Sequence, residues 1–249
     1  QGCHGRKGAA PLPAGQYISQ VLLKKPLEDA SYLARLPVVQ YLMEQRSLPL
    51  THAVTFLVGE NGTGKSTLME AIAVAYGFNG EGGSKNFTFS TNQTHSDLWK
   101  YLTLVKKGHP KDGFFLRAES FYNVATNIDK LDEEPSLGGS LIDSYGGVSL
   151  HRQSHGESFL ALVQNRFGGD GLYLLDEPEA ALSPMGQMTL MAEMDRLVKR
   201  DSQLIIATHS PILMAVPGAQ IYQLSDKGII IIRQQEFPLN GHQSIPQTD

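Results

Sequence analysis

An α/β fold, with a mainly parallel sheet covered by helices on both faces, follows from three features of the sequence. Three continuous apolar runs, AVTFLV at 53–58, LYLL at 172–175 and LIIA at 204–207, each stop at a Gly or polar residue. Runs without alternation suit parallel strands that are buried on both sides. Two amphipathic stripes have helical spacing: Leu68, Ala71, Ile72 and Ala75 after Gly64, and Leu190, Met191, Met194, Leu197 and Val198 after Pro184. The methionines of the second stripe are read as core packing. Finally, 249 residues with 41% hydrophobic content suffice for one sizeable core carrying a small inserted lobe.

The remaining elements follow in chain order. Residues 1–15 are rich in Gly and Pro and are read as a flexible lead, with one domain spanning 16–236. Tyr17 to Leu23 alternates like an edge strand, and Ser31 to Arg46 has mixed helical spacing in Leu33, Leu36, Val39 and Met43. The segment 78–150 is expected to form an irregular, helical lobe, with a helical stretch near Leu98 to Val105 and a strand at Phe114 to Arg117. AQIYQLSDKGIIIIR predicts an antiparallel pair of strands turning at Asp226-Lys227-Gly228, and 237–249 is expected to be a disordered tail.

Composition narrows the function classes. A net charge of -4 without a long Lys/Arg block argues against a surface built to coat nucleic acid, while leaving room for a local basic groove. Lys24-Lys25 and Lys106-Lys107 are read as ordinary solvated pairs. The single cysteine, Cys3, excludes an internal disulfide and a Cys-cluster metal site, so a reducing, cytoplasmic setting is expected. No apolar run approaches the roughly 18–20 residues of a membrane span, and the opening QGCHGRKG has no apolar signal core.

Gly59-Glu60-Asn61-Gly62-Thr63-Gly64-Lys65-Ser66, followed by Thr67, fits G-x-x-x-x-G-K-[ST] and lies between a buried strand and an amphipathic helix. Glycines let successive N–H groups turn inward, and the helix adds its positive end, so main-chain dipoles hold a polyphosphate. Lys65 supplies a charge for the β and γ phosphates and the Ser66 hydroxyl a ligand for Mg²⁺. Asp176 and Glu177 stand where the run LYLL emerges, at the sheet edge where ligands sit in α/β folds. Alone, Asp-Glu-Pro after a strand is a turn. Together with the phosphate loop, Asp176 is expected to hold Mg²⁺ and Glu177 to polarise the attacking water.

Ser154-His155-Gly156-Glu157-Ser158 before Phe159, Leu160, Leu162 and Val163 has the pattern of a capping box, and IIATHSP at 205–211 places His209 at the end of a buried strand. In this order the motifs resemble the ABC ATPase superfamily from about Tyr17 to Arg233, in particular its compact, non-transporter bacterial ATPases. The resemblance implies a P-loop NTPase, ABC-ATPase-like fold, ATP and Mg²⁺ as cofactors, and hydrolysis of ATP. It also implies that Ser154 and Gly156 contact the γ-phosphate held by a second copy, that Glu157 belongs to the nucleotide-binding set, and that His209 senses or binds the γ-phosphate.

The departures shape the expectation. SHGES stands where transporter subunits typically have SGGQ, and Glu157 is similar to the chromosome-maintenance (SMC) and repair (RecF-like) branch. Ser183 replaces the Asp that typically ends the D-loop. Glu119, in FFLRAES, is the best candidate for the Q-loop position and a metal contact, with Gln93 behind it. There is no long coiled coil and no CxxC hook. The chain is therefore expected to act as an ATP-driven homodimerisation switch. DNA-related and defence processes, and a nucleic-acid partner, are left open. The alternative is the ATP-binding subunit of a membrane transporter, with a multi-span partner.

Overall fold

The computed structural model describes residues 15–25, 27, 31–83, 96–121, 154–226 and 228–232. In chain order the strands are β1 (Ile18–Leu23), β2 (Ser47–Pro49), β3 (Val54–Gly59), β4 (Leu102–Lys106), β5 (Asp112–Arg117), β6 (Gly171–Asp176), β7 (Gln203–Ala207), β8 (Gln220–Ser225) and β9 (Gly228–Ile232). The helices are α1 (Pro37–Gln45), α2 (Lys65–Tyr76), α3 (His155–Arg166) and α4 (Pro184–Val198).

The three apolar runs are β3, β6 and β7, neighbours in a six-stranded sheet of order β5-β6-β7-β3-β8-β9. All its pairings are parallel except β8 with β9. Lack of alternation has its expected cause, because every residue of β6 and of β7 is buried. On one face Phe56, Phe114, Leu116, Tyr173, Leu175 and Ile206 pack against α3 and α4. On the other, Leu57, Phe115, Leu174 and Ile205 pack against α1, α2 and a second sheet of order β2-β1-β4. The mainly parallel sheet with an antiparallel edge is the one the sequence predicts.

Helix starts follow local chemistry. Pro37 and Pro184 occupy first-turn positions, where a missing N–H costs nothing. The Ser183 hydroxyl caps α4 by accepting from the Gly186 N–H. The Ser154–Glu157 capping box opens α3 as predicted.

Two local expectations are corrected. Tyr17 to Leu23 supplies a strand, but β1 is the central one of its sheet, paired antiparallel with β2 and β4. The stretch Leu98 to Val105 is a 3-10 turn (Asp97–Tyr101) running into β4, instead of a helix. Leu98, Leu102 and Val105 do have helical spacing, but the open edge of β1 takes Leu102–Lys106 as its partner, and tertiary pairing overrides the local pattern. Of the expected irregular lobe at 78–150, β4 and β5 are therefore regular strands, and 84–95, with Gln93, and 122–150 lie outside the described residues. So do the lead at 1–14, Lys227 of the β8–β9 turn, and the tail.

Candidate nucleotide site

The loop 59–64 leaves the C-terminal end of β3 and runs directly into α2. Its tight path is set by contact with neighbours. Gly64 has φ +95°, and a Cβ there would lie 2.6 Å from Cγ1 of Val38. The Val38 N–H donates to the Thr63 carbonyl at 3.3 Å, so α1 is fastened against the loop. Gly64→Ala is expected to lose about 2–3 kcal/mol of stability through strain and overpacking. Urea unfolding checks this, and Val38→Ala in the same chain should restore part of the loss, because it removes the methyl that is struck.

Lys65 is only 4% exposed. Its ammonium spans the loop, donating to the Gly59 carbonyl at 2.6 Å and the Glu60 carbonyl at 3.0 Å. Burial lowers its pKa, opposed first by Glu177 and then by Asp176 and Glu179. The Thr63 hydroxyl closes the loop on the Glu60 carbonyl at 2.8 Å. Glu60, Asn61 and Gly62 form the exposed crest, and Thr67 sits half-buried one residue beyond Ser66.

The Ser66 hydroxyl donates to Oδ1 of Asp176 at 3.0 Å, bringing the start of α2 onto the end of β6. Arg117, at the end of β5 and level with Asp176 in the parallel register, reaches across on the other side. Its Nε lies 3.4 Å from Oδ2 of Asp176, and its Nη1 donates to Oε2 of Glu70 at 3.0 Å. Glu70 is one turn after Ser66 on α2, so Ser66, Asp176, Arg117 and Glu70 close a ring joining α2, β5 and β6. A cleft of about 150 Å³ lined by Ser66, Arg117, Glu119, Asp176 and Glu177 opens beside it. Glu119 reaches this cleft, 3.6 Å from Arg117 and with an 87% exposed side chain.

Burial pushes the Asp176 carboxyl up to about 6, while Arg117 and then Ser66 pull it back. Its folded value lies above its ordinary 3.8, so between those two values the folded state binds more proton than the unfolded one. Stability contributed by this group then falls as pH rises through about 6. Asp176→Asn is accordingly expected to stabilise the ligand-free protein by about 2 kcal/mol at pH 8, with the gain vanishing below about pH 4. Denaturant midpoints at the two pH values check this.

Glu177 follows with φ 51° and ψ 49°, a left-handed conformation uncommon for a non-glycine residue. Its N–H donates to the Ala207 carbonyl at 2.9 Å, which ties the end of β6 to the end of β7. Beyond β7, Nε2 of His209 lies 3.2 Å from Oε1 of Glu177. Both side chains are more than a third exposed, so water reaches the pair.

Lys65, Ser66, Asp176, Glu177, Glu119 and His209 thus meet at the C-terminal edge of the sheet. The start of α3 is built differently. Ser154 and Glu157 bond to one another, with the Ser154 hydroxyl donating to Oε2 of Glu157 at 2.6 Å, and both side chains are exposed. A Cβ on Gly156 would lie 2.9 Å from the Ala181 carbonyl, so α3 begins against the turn that follows Glu177. His155 packs edge-on to Phe121. Arg117, Glu70 and Glu179 are site residues that sequence reasoning missed. Arg117 was within reach, since it ends a predicted strand, but its partner depends on strand order.

Among the described residues no group of three or more His, Cys, Asp or Glu is arranged to hold a metal. The oxygen pair of Ser66 and Asp176 nevertheless fits Mg²⁺, which takes one or two protein oxygens and fills its octahedron with phosphate and water. No helix among the described residues is long and apolar enough to cross a membrane.

Comparison with known proteins matches residues 38–111 to a family described as "AAA domain" and residues 148–215 to one described as "AAA domain, putative AbiEii toxin, Type IV TA system". A Geobacter sulfurreducens protein named as an ABC transporter ATP-binding protein is 28% identical over 123 residues, covering 49% of this chain and 41% of that protein. The matched stretch therefore spans less than half of that relative. Among solved structures, a metal-chelate type ABC transporter in an inward-facing conformation aligns over 87% of this chain and 83% of its own, at 14% identity and TM-score 0.51. An SMC head domain from Thermotoga maritima aligns over 88% of this chain and all of its own, at 15% identity and TM-score 0.46. The likeness to the transporter structure is one of fold.

Proposed function

We propose, from the premise that the chain belongs to the P-loop, ABC-type ATPase superfamily, that it binds ATP with Mg²⁺ and hydrolyses it. The observation that carries this is the meeting of Lys65, Ser66, Asp176, Glu177 and His209 at the ends of β3, β6 and β7. Main-chain N–H groups of the loop and α2 hold the phosphates, and Lys65 moves from the loop carbonyls to the β and γ oxygens. Ser66 and Asp176 would hold Mg²⁺, which would supply positive charge against the phosphate oxygens. Glu177 takes the proton of the attacking water, and His209 places the carboxylate that receives it.

A second copy of the chain completes the site in this reading. Ser154, Gly156 and Glu157 stand at a helix start, a ready anion site, and the Ser154 and Glu157 side chains are exposed there. ATP between one chain's phosphate loop and the other's α3 would drive closure, and hydrolysis would release it. Magnesium-dependent phosphate release from ATP, measured together with light scattering, tests the proposal. Phosphate release at background level in purified, folded protein overturns it.

The name of the Geobacter sulfurreducens relative favours a second reading, the energising subunit of a transporter. Co-purification of a multi-span membrane protein with the chain would support that reading over an independent switch.

A further inference from the structure

We infer that Glu179 positions His209 for hydrolysis, an inference that rests on the ATPase reading of the same site. Glu179 lies in the one-turn 3-10 helix Pro178–Ala180, directly after Glu177. Its Oε1 accepts the main-chain N–H of His209 at 2.5 Å, across the gap between the ends of β6 and β7. The imidazole of the same residue reaches back to Oε1 of Glu177. His209 is thereby held at two points, main chain and ring, by two carboxylates of one short turn, while its side chain stays exposed.

The bond to Glu179 fixes the main chain of His209, the point from which its ring reaches Glu177. His209 follows directly on buried Thr208, whose N–H is anchored on the Leu57 carbonyl of β3. With the strand end fixed and the His209 amide held, the Cα that carries the ring is fixed within reach of Glu177. The turn itself is firm: Pro178 is buried, and the Ala180 N–H closes onto the Glu177 carbonyl.

The other oxygen of Glu179, Oε2, is buried without a hydrogen-bond partner among the described residues. A carboxylate left half satisfied costs stability, and such groups in native proteins call for a reason beyond packing. The charge also acts on Lys65, but behind Glu177 and Asp176 in size. The hydrogen bond to His209, which any side-chain carbonyl oxygen could accept, is the contact on which the positioning role rests.

Glu179→Ala and Glu179→Gln separate these roles. Alanine removes the acceptor and is expected to lower kcat for phosphate release by about tenfold or more, with the calorimetric Kd for magnesium ATP changed less than about threefold. Glutamine keeps an acceptor oxygen and is expected to hold kcat within about threefold of the unsubstituted chain. An unchanged kcat in the alanine chain overturns the inference. Equal losses in both chains also overturn it, because they assign the effect to charge, and so does a parallel loss of nucleotide binding. Should the alanine chain fail to fold, Glu179→Asp withdraws the carboxylate by one methylene. There a lowered kcat at unchanged Kd supports the role and an unchanged kcat overturns it. If the unsubstituted chain releases no phosphate, the ATPase reading fails. If it turns over and the Glu179 chains behave alike, only the positioning role fails.

Discussion

Glu177→Gln is expected to slow phosphate release by about 10²–10⁴-fold, the usual contribution of a positioned general base, while ATP binding persists. The Glu177 carboxylate lies 3.2 Å from His209, and both groups are partly exposed, as the proposed attack by water requires. Glutamine keeps the size and hydrogen-bonding reach of the side chain and removes only its ability to take a proton. The closed state should then accumulate, seen as a rise in mass by light scattering with magnesium ATP. Turnover that is unaffected, with no gain in dimer, would remove Glu177 from the proposed chemistry.

Lys65→Ala acts one step earlier and is expected to weaken ATP binding itself. The ammonium is buried, donates to two loop carbonyls and sits in the field of Glu177, Asp176 and Glu179. In such a setting a charge-assisted bond to phosphate is worth about 3 kcal/mol, or on the order of a hundredfold in Kd. Alanine also leaves the anionic phosphates facing Glu177, Asp176 and Glu179 without the Lys65 charge among them. Phosphate release should fall to background at ATP concentrations that saturate the unsubstituted protein. A Kd within a few-fold of the original would mean that the loop amides alone hold the nucleotide.

Much of this architecture was legible because its strands are buried on both faces. AVTFLV, LYLL and LIIA need no alternation when helices cover both sides, and their abrupt ends mark the sheet edge where Gly59, Asp176 and His209 appear. The phosphate loop and the capping box are local chemistry, written in consecutive residues. The pairing of β5 with β6 is not local, and with it went the ion pair between Arg117 and Asp176, which depends on those residues being level across two strands. Glu179 gives no local signal in the sequence, since its bond joins loops from two different strands. The helical spacing of Leu98, Leu102 and Val105 misled for the converse reason: it was a correct local pattern overruled by the open edge of β1.

Arg117 also explains how the site tolerates so many carboxylates. It lies between Glu70 and Asp176, both largely buried, with Glu119 at the mouth of the cleft. Asp176 nonetheless stays poised near neutrality because burial outweighs its partners. A second cation beside it, such as magnesium arriving with a nucleotide, would complete the compensation that Arg117 begins.

Injection of magnesium ATP into the folded protein in a calorimeter tests the phosphate site most directly. The expected result is saturable heat from one nucleotide per chain, greatly weakened by Lys65→Ala. An absence of heat, from protein whose near-ultraviolet circular dichroism and cooperative unfolding show it to be folded, would contradict a nucleotide site built on Gly59 to Ser66.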